Sequence, residues 1–418
     1  MQLQTILNQV QKHQSFVYGA ACWREGARGR LAIEVEIQPR KNGKPLCSGC
    51  QQPRPGYDRL PVRSFEFVPL WNIALVFLYA MRRVDCPTCG IKVEQIPWAE
   101  GKNHLTTTYR WFLAKWAKRL SWTEVAKAFG ASWDAVYGAV LMAVVWGLSH
   151  RSLLGIEAIG VDEIQWLKGH TYLTLVYDIG AGAKRLLYIG KERTKQSLRT
   201  LFQLLKDKGC ASLRYVCSDM WQPYLAVIAE KAGHVVHVLD RFHIMKKFNE
   251  AIDQIRRDEA QEMKRLGMEP LLRHARWCLL KRPENLNDTQ ASRLSDLLSY
   301  NLNTVTAYLL REEFQRFWEF EAPKEAGEFL DAWCEQALLT ELEPINKVVG
   351  MLRSHRELLL NWFVARGQMS SGAVEGMNNK AKIVIRKAYG FRIFRAVEVA
   401  LYHTLGALPE PQFTHEFC

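Results

Sequence analysis

Apolar and polar side chains alternate from Leu31 to Arg40 (LAIEVEIQPR), the period of a strand with one buried face. The apolar run from Trp71 to Ala80 is closed by Arg82 and Arg83, well short of the ~18 apolar residues of a membrane helix. Together with the turns between them, these patterns predict a small β-rich module over residues 1–100. The period then lengthens. TTTYRWFLAKWAKRL predicts a helix, Ser121 and Glu124 form a capping box for a short one, Gly130 ends it, and Ser132 caps the next. A short helix, a glycine turn and a second helix form a helix-turn-helix pattern over 101–152, with a plain helical hairpin as the alternative.

Residues 156–243 change character. IEAIGVDEIQW, TYLTLVYDIG and RLLYIGK read as strands, and TKQSLRTLFQLLKDKG as an amphipathic helix. SLRYVCSDMW, QPYLAVIAEKAG and HVVHVLDRFH then read as strand, helix and strand. The order β-β-β-α-β-α-β predicts an α/β ribonuclease-H-like core. Residues 244–366 carry leucine-rich helical periods, with Asn287 or Asp288 as one cap, and no convincing strand. So long a stretch is no loop of a compact domain. It is expected to be an all-helical insertion ahead of a last core helix capped by Ser371. The expected domains are 1–100, 101–152, 153–245 (first part of the core), 246–366 (insertion) and 367–418 (final part of the core and tail).

Hydrophobic residues make up 48% of the 418-residue chain, which excludes a disordered polypeptide. The net charge of +13 favours a polyanionic partner such as DNA or RNA, and an anionic membrane surface shares that chemistry. The N-terminus lacks a basic region followed by an apolar one, so a cytoplasmic, nucleoid-associated location without membrane contact is expected. Thiols stay reduced there, so among the ten cysteines the paired spacing of Cys47 with Cys50 and Cys86 with Cys89 favours a metal over disulfides. Each pair sits in a turn, which suits one structural Zn²⁺. Two unrelated turns without metal are the alternative.

Three acids carry the candidate chemistry. Asp162 lies in the first strand of the α/β region and Asp219 just past the fourth, and these strands are neighbours in a ribonuclease-H-like sheet. Glu375, on the last core helix, can complete a cluster with the hard oxygen donors that two Mg²⁺ (or Mn²⁺) ions need to clamp a phosphate. Glu163 rivals Asp162 and points to the opposite sheet face; strand parity alone does not say which face the metals take. Asp240, His243 and Asn379 are candidates for supporting this site. Lys380, Lys382, Arg386, Lys387, Arg392 and Arg395 are interleaved with Tyr389 and Phe391, a composition suited to DNA. Lys115, Lys118 and Trp133 are further candidate DNA contacts in the helix-turn-helix region.

GVDE, SDMWQPY, LDRFHIMK and EGMNNKAKIVIRKAYGFR resemble the ISL-three family of bacterial insertion-sequence DDE transposases, and the likeness extends from about Cys47 to about Leu405. It implies a catalytic triad of Asp162, Asp219 and Glu375, preferring Asp162 over Glu163. It also implies recognition of terminal inverted repeats in double-stranded DNA by the N-terminal region. Hydrolysis at the 3′ ends and joining to target DNA follow, and synapsis of two ends calls for a homodimer. The chain departs from the usual knuckle at Gln51, where glycine is expected, which bears on the zinc geometry. A zinc/helix-turn-helix regulator without catalysis, or a nuclease without strand transfer, are the competing functions.

Overall fold

The computed structural model describes residues 2–25, 31–167, 169, 171–180, 182, 184–365 and 372–412. Packing divides the chain into two compact units, residues 1–151 with 384–418, and residues 152–383. The expected boundary at 367 therefore differs from the packing division, which falls within the last core helix. The expected cap Ser371 lies outside the described residues.

In the first unit, α1 (Leu3–Val10) precedes β1 (Phe16–Glu25), β2 (Leu31–Pro39), β3 (Gly56–Leu70), β4 (Ile73–Cys86) and β5 (Gly90–Val93). The sheet runs β1-β2-β4-β3, β5 pairs with β4, and β2–β4 is the parallel pairing. The apolar run after Trp71 is a strand: Leu75, Phe77, Tyr79 and Met81 alternate into a core with Phe65, Phe67 and Trp98. The helix α1, which the N-terminal pattern did not suggest, seats Leu7 on the same core.

Next come α2 (Thr107–Ala117), α3 (Trp122–Phe129) and α4 (Trp133–His150). Ser121 and Glu124 form the expected capping box, Gly130 is left-handed at φ 68°, and Ser132 accepts from the amide of Ala135. The turn sets α3 and α4 at 116°. Among the described residues no single helix is long and apolar enough to cross a membrane.

The second unit contains a mixed sheet. Its strands are β6 (Ala158–Leu167), β7 (Thr171–Asp178), β8 (Arg185–Lys191), β9 (Tyr215–Ser218) and β10 (Val236–Leu239), in the order β10-β9-β6-β7-β8. β6–β7–β8 is an antiparallel meander, and β9 and β10 run parallel to β6. Parallel neighbours need crossovers, which α5 (Lys195–Asp207) and α6 (Gln222–Ala232) provide. The helices α7 (Arg241–Arg265), α8 (Arg276–Leu280), α9 (Asp288–Leu298), α10 (Asn303–Phe314), α11 (Pro323–Leu338), α12 (Glu343–Ser354) and α13 (Arg356–Val364) follow. They close around Phe248, Phe314, Phe317 and Trp333, and Asn287 is the cap of α9. The chain then forms α14 (Gly372–Lys387) and α15 (Phe394–Leu405), the latter belonging to the first unit.

Val374 of α14 packs into the space left by Gly160 of β6, where a Cβ would overlap the valine side chain. Gly160→Ala should therefore destabilise the second unit by about 1–3 kcal/mol through overpacking. Adding Val374→Ala should recover much of that loss. Chemical denaturation of both variants tests this, and independent, additive losses would show that the two residues do not share this contact.

Candidate active site and cysteine centre

Strand register brings the acids together. Gly160 pairs with Cys217 across the parallel β6–β9 ladder, so Asp162 and Asp219 lie at matching levels two residues further on. Leu239 pairs with Ser218 in the β9–β10 ladder, which sets Asp240 beside Asp219. Asp219 and Asp240 thus follow the C-terminal ends of β9 and β10, the edge where α/β sheets place ligands, and Asp162, midway along the longer β6, lies level with them just past the last β6–β9 pair.

Asp162 and Glu163 point to opposite faces, because the β6–β7 register is regular through both. On one face, Asn378 of α14 donates its amide Nδ2 to Asp162 Oδ2 at 2.6 Å and accepts from the Tyr177 hydroxyl at 2.8 Å. A carboxylate only accepts, so this orientation of the buried amide is fixed by chemistry. On the same face, His243 lies with Nε2 4.0 Å from Asp162 Oδ1 and Nδ1 3.3 Å from Asp240 Oδ2. Asp240 also caps α7 by accepting from the Phe242 amide. On the other face, the Arg193 guanidinium forms ion pairs of 2.7 Å with both Glu163 and Asp219, and stacks 4.2 Å above the Trp221 ring.

Burial pushes the Asp162 carboxyl above its usual range, and the Asp240 and Asp219 charges add to this while His243 offsets it. Burial and then Asp219 push Glu163 up to about 7, against the pull of Arg193. Burial alone lowers His243, but its bond to Asp240 and the charge of Asp162 outweigh it and raise the net value.

Glu375 is exposed on α14, one turn before Asn378. Among the described residues, Asp162, Asp219 and Glu375 form no group with all ligand atoms within 4.8 Å, whereas the four cysteines do. Asn379, expected to support the site, is exposed; the helical phase of α14 instead turns its neighbour Asn378, 5% exposed, toward Asp162. Sequence spacing missed Arg193 and Tyr177. No motif marks either, since their roles arise from pairing across strands and a loop.

The cysteine centre is built from two matching turns. Gly90 after Cys89 has φ 72°, and Gln51 after Cys50 has φ 57°, so Gln51 adopts the conformation that glycine takes in the second turn. The left-handed backbone costs a non-glycine residue about 1–2 kcal/mol and leaves the turn intact. Gly49 is required by space, because a Cβ there would meet Cys89 Sγ at 2.9 Å. The Gly49 amide donates to Cys47 Sγ at 3.4 Å, and Cys50 and Cys86 Sγ lie 3.6 Å apart. Burial raises the Cys86 thiol, but the amides of Cys89 and Thr88 outweigh it and bring it down to about 6. Four converging thiols with amide support fit a tetrahedral Zn²⁺.

The basic candidates divide. Lys380, Lys382, Arg386 and Arg392 are exposed, Lys387 donates to the Arg119 carbonyl, and Arg395 pairs with Glu398. Tyr389 is fully exposed, but Phe391 is buried against Trp122 and is unavailable for stacking on a base. Lys115, expected to contact DNA, is instead 13% exposed and shares Glu410 with Lys118, because its helix face is covered. Trp133 is 44% exposed and stacks on Tyr137.

Residues 159–401 match the ISL3 model of DDE transposases, described as "Transposase". The chain is 28% identical over 351 residues to the transposase for insertion sequence element IS1001 of Bordetella parapertussis, covering 83% of this chain and 85% of that protein. It is also 28% identical over 397 residues to the transposase for IS1557 of Mycobacterium tuberculosis, covering 88% and 86%. Among solved structures, the HTLV-2 integrase catalytic core domain in complex with magnesium matches 31% of this chain and 88% of its own at 17% identity. Its TM-score is 0.15, a likeness too low to inform the fold.

Because Glu163 holds a proton when folded that it releases near its ordinary pKa when unfolded, its contribution to stability declines as pH rises from about 4.5 to about 7. Glu163→Gln should flatten the stability–pH curve in that window by an amount of order 1–3 kcal/mol. Denaturation at closely spaced pH values, without added Mg²⁺, measures it; an unchanged slope would show that Glu163 does not titrate there.

Proposed function

Because this chain belongs to the ISL3 family of DDE transposases, we propose that Asp162, Asp219 and Glu375 are the acids with which it cuts and joins DNA. The protein is a DNA transposase, an enzyme class that works with divalent metal. The observation that carries the site assignment is the level placement of Asp162 on β6 and Asp219 just past the neighbouring β9, with the helix bearing Glu375 tied to Asp162 through Asn378.

An antiparallel three-strand meander continued by two parallel strands supports a ribonuclease-H-like core, formed by 153–245 with the Glu375-bearing helix α14 and interrupted by a helical insertion at 246–366. The donor set fits hard divalent ions, since hard carboxylate oxygens crowd together and the Asp240 and Asp219 charges add to burial in raising the Asp162 carboxyl. Two Mg²⁺ (or Mn²⁺) ions bound there would activate the attacking water or 3′-hydroxyl and stabilise the leaving oxygen. The protein's own part is positional. Asn378 holds Asp162, the Trp221 amide and Arg193 hold Asp219, and Asp240 orients His243. Residues 1–100, with one Zn²⁺ on the four cysteines, and the helix-turn-helix of 101–152 bind terminal inverted repeats. Two chains synapse the ends, and the exposed cations of α14 face target or element DNA. Such a protein works on the nucleoid in the bacterial cytoplasm.

With element ends, Mg²⁺ and a target plasmid, Asp219→Ala and Glu375→Ala should each reduce end cleavage and joining by ~10³-fold or more, the scale of losing a group that steadies developing charge. Wild-type-like joining by either variant would refute the assignment, and cleavage without joining by the wild type would favour a nuclease. Purified protein should carry one zinc per chain, and Cys86→Ser should lose it and loosen the first unit. Elemental analysis and limited proteolysis read this out; full zinc retention would mean the cysteines do not hold it.

A further inference from the structure

Beside the cysteine turns, the first unit contains an open cleft of about 390 Å³ between residues 41–45 and 53–56. Three cations line it, Lys41, Lys44 and Arg54, and no acidic side chain does. The two lysines are exposed, and among the described residues no carboxylate forms an ion pair with any of the three. Arg54 is partly offset by the Cys50 sulfur, so the two lysines supply most of the free positive potential that would draw a polyanion.

The walls are fixed. Glu94, 2% exposed, accepts from the Tyr79 hydroxyl at 2.6 Å and pairs with Arg82 at 2.7 Å. Arg82 in turn donates to the Gly43 carbonyl at 3.1 Å and so anchors the turn between the lysines. The carboxylate beneath the turn is thereby already satisfied. The opposite wall is closed by the Arg54 amide donating to the Pro45 carbonyl at 3.0 Å. The Arg54 guanidinium reaches Cys50 Sγ at 4.0 Å, while its Nε is buried without a hydrogen-bond partner.

We propose that this cleft takes the phosphodiester backbone of duplex DNA, Lys41 and Lys44 each neutralising a phosphate while Arg54 supplies charge from the floor. The proposal rests on the reading above that the protein binds DNA. The contact carries no base information; it orients the first unit on the duplex. None of the three cations belongs to a recognisable sequence motif, because they come from both sides of a knuckle that only folding closes.

The test uses full-length, zinc-loaded protein and a short labelled duplex of arbitrary sequence, with affinity measured by fluorescence anisotropy between about 50 and 200 mM KCl. Lys41→Gln with Lys44→Gln should lower the slope of log affinity against log salt by about 1.8, about 0.9 per lost phosphate contact, and each single change by about half of that. Zinc content and melting temperature should stay as in the wild type, since both side chains are exposed. Lys324→Gln with Lys347→Gln removes the same charge from exposed helix faces of the second unit and should leave the slope unchanged. The proposal is overturned if the cleft pair keeps the wild-type slope, or if the control pair lowers it equally. If the wild type itself fails to bind duplex DNA, the functional reading falls as well, and that result is distinct from the other two.

Discussion

Carboxylates crowded at the edge of three adjacent parallel strands repel one another, and much of the second unit is organised around that repulsion. Asp162, Asp219 and Asp240 are brought level by strand register, which leaves them no freedom to separate. Each is therefore tied down by a donor: Asn378 for Asp162, Arg193 and the Trp221 amide for Asp219, and the Phe242 amide with His243 for Asp240. Like charges held this close raise proton affinity when alone and attract multivalent cations when these are available. Burial first, and then the neighbouring Asp240 and Asp219 charges, raise the Asp162 carboxyl in this arrangement.

The same constraint explains the placement of α14. A helix carrying Glu375 can reach the edge only if its backbone approaches β6 closely, and Gly160 makes room for Val374 there. Asn378, one turn on, then satisfies Asp162 while its own oxygen is occupied by Tyr177. Glu375 itself remains exposed on this anchored helix. The first unit uses a buried charge in a different way: Glu94 is fully satisfied by Tyr79 and Arg82, and the surplus donor of Arg82 fixes the basic turn at Gly43.

Much of the architecture was legible in the residue pattern because it depends on local periodicity. The alternation around Val35, the capping box at Ser121, the left-handed Gly130 and the strand–helix order after Ala158 all act through near neighbours in sequence. α1 was not legible, since it is short and its burial rests on a single side chain, Leu7. The burial of Lys115 and Phe391 was not legible, because a basic or aromatic residue reads the same from sequence whether its surroundings are solvated or covered.

The sequence by itself determined the paired spacing of the cysteines, the acids on and just past the sheet strands and the family, because these are properties of spacing and identity. It left open which sheet face Asp162 and Glu163 each take and which side chains of α14 turn inward. Those directions belonged to the tertiary structure. Which face of β6 meets α7 and α14, and the angle at which α14 lies on the sheet, depend on contacts between residues far apart in sequence, and a strand's two-residue period or a helix's 3.6-residue period fixes only relative directions within one element.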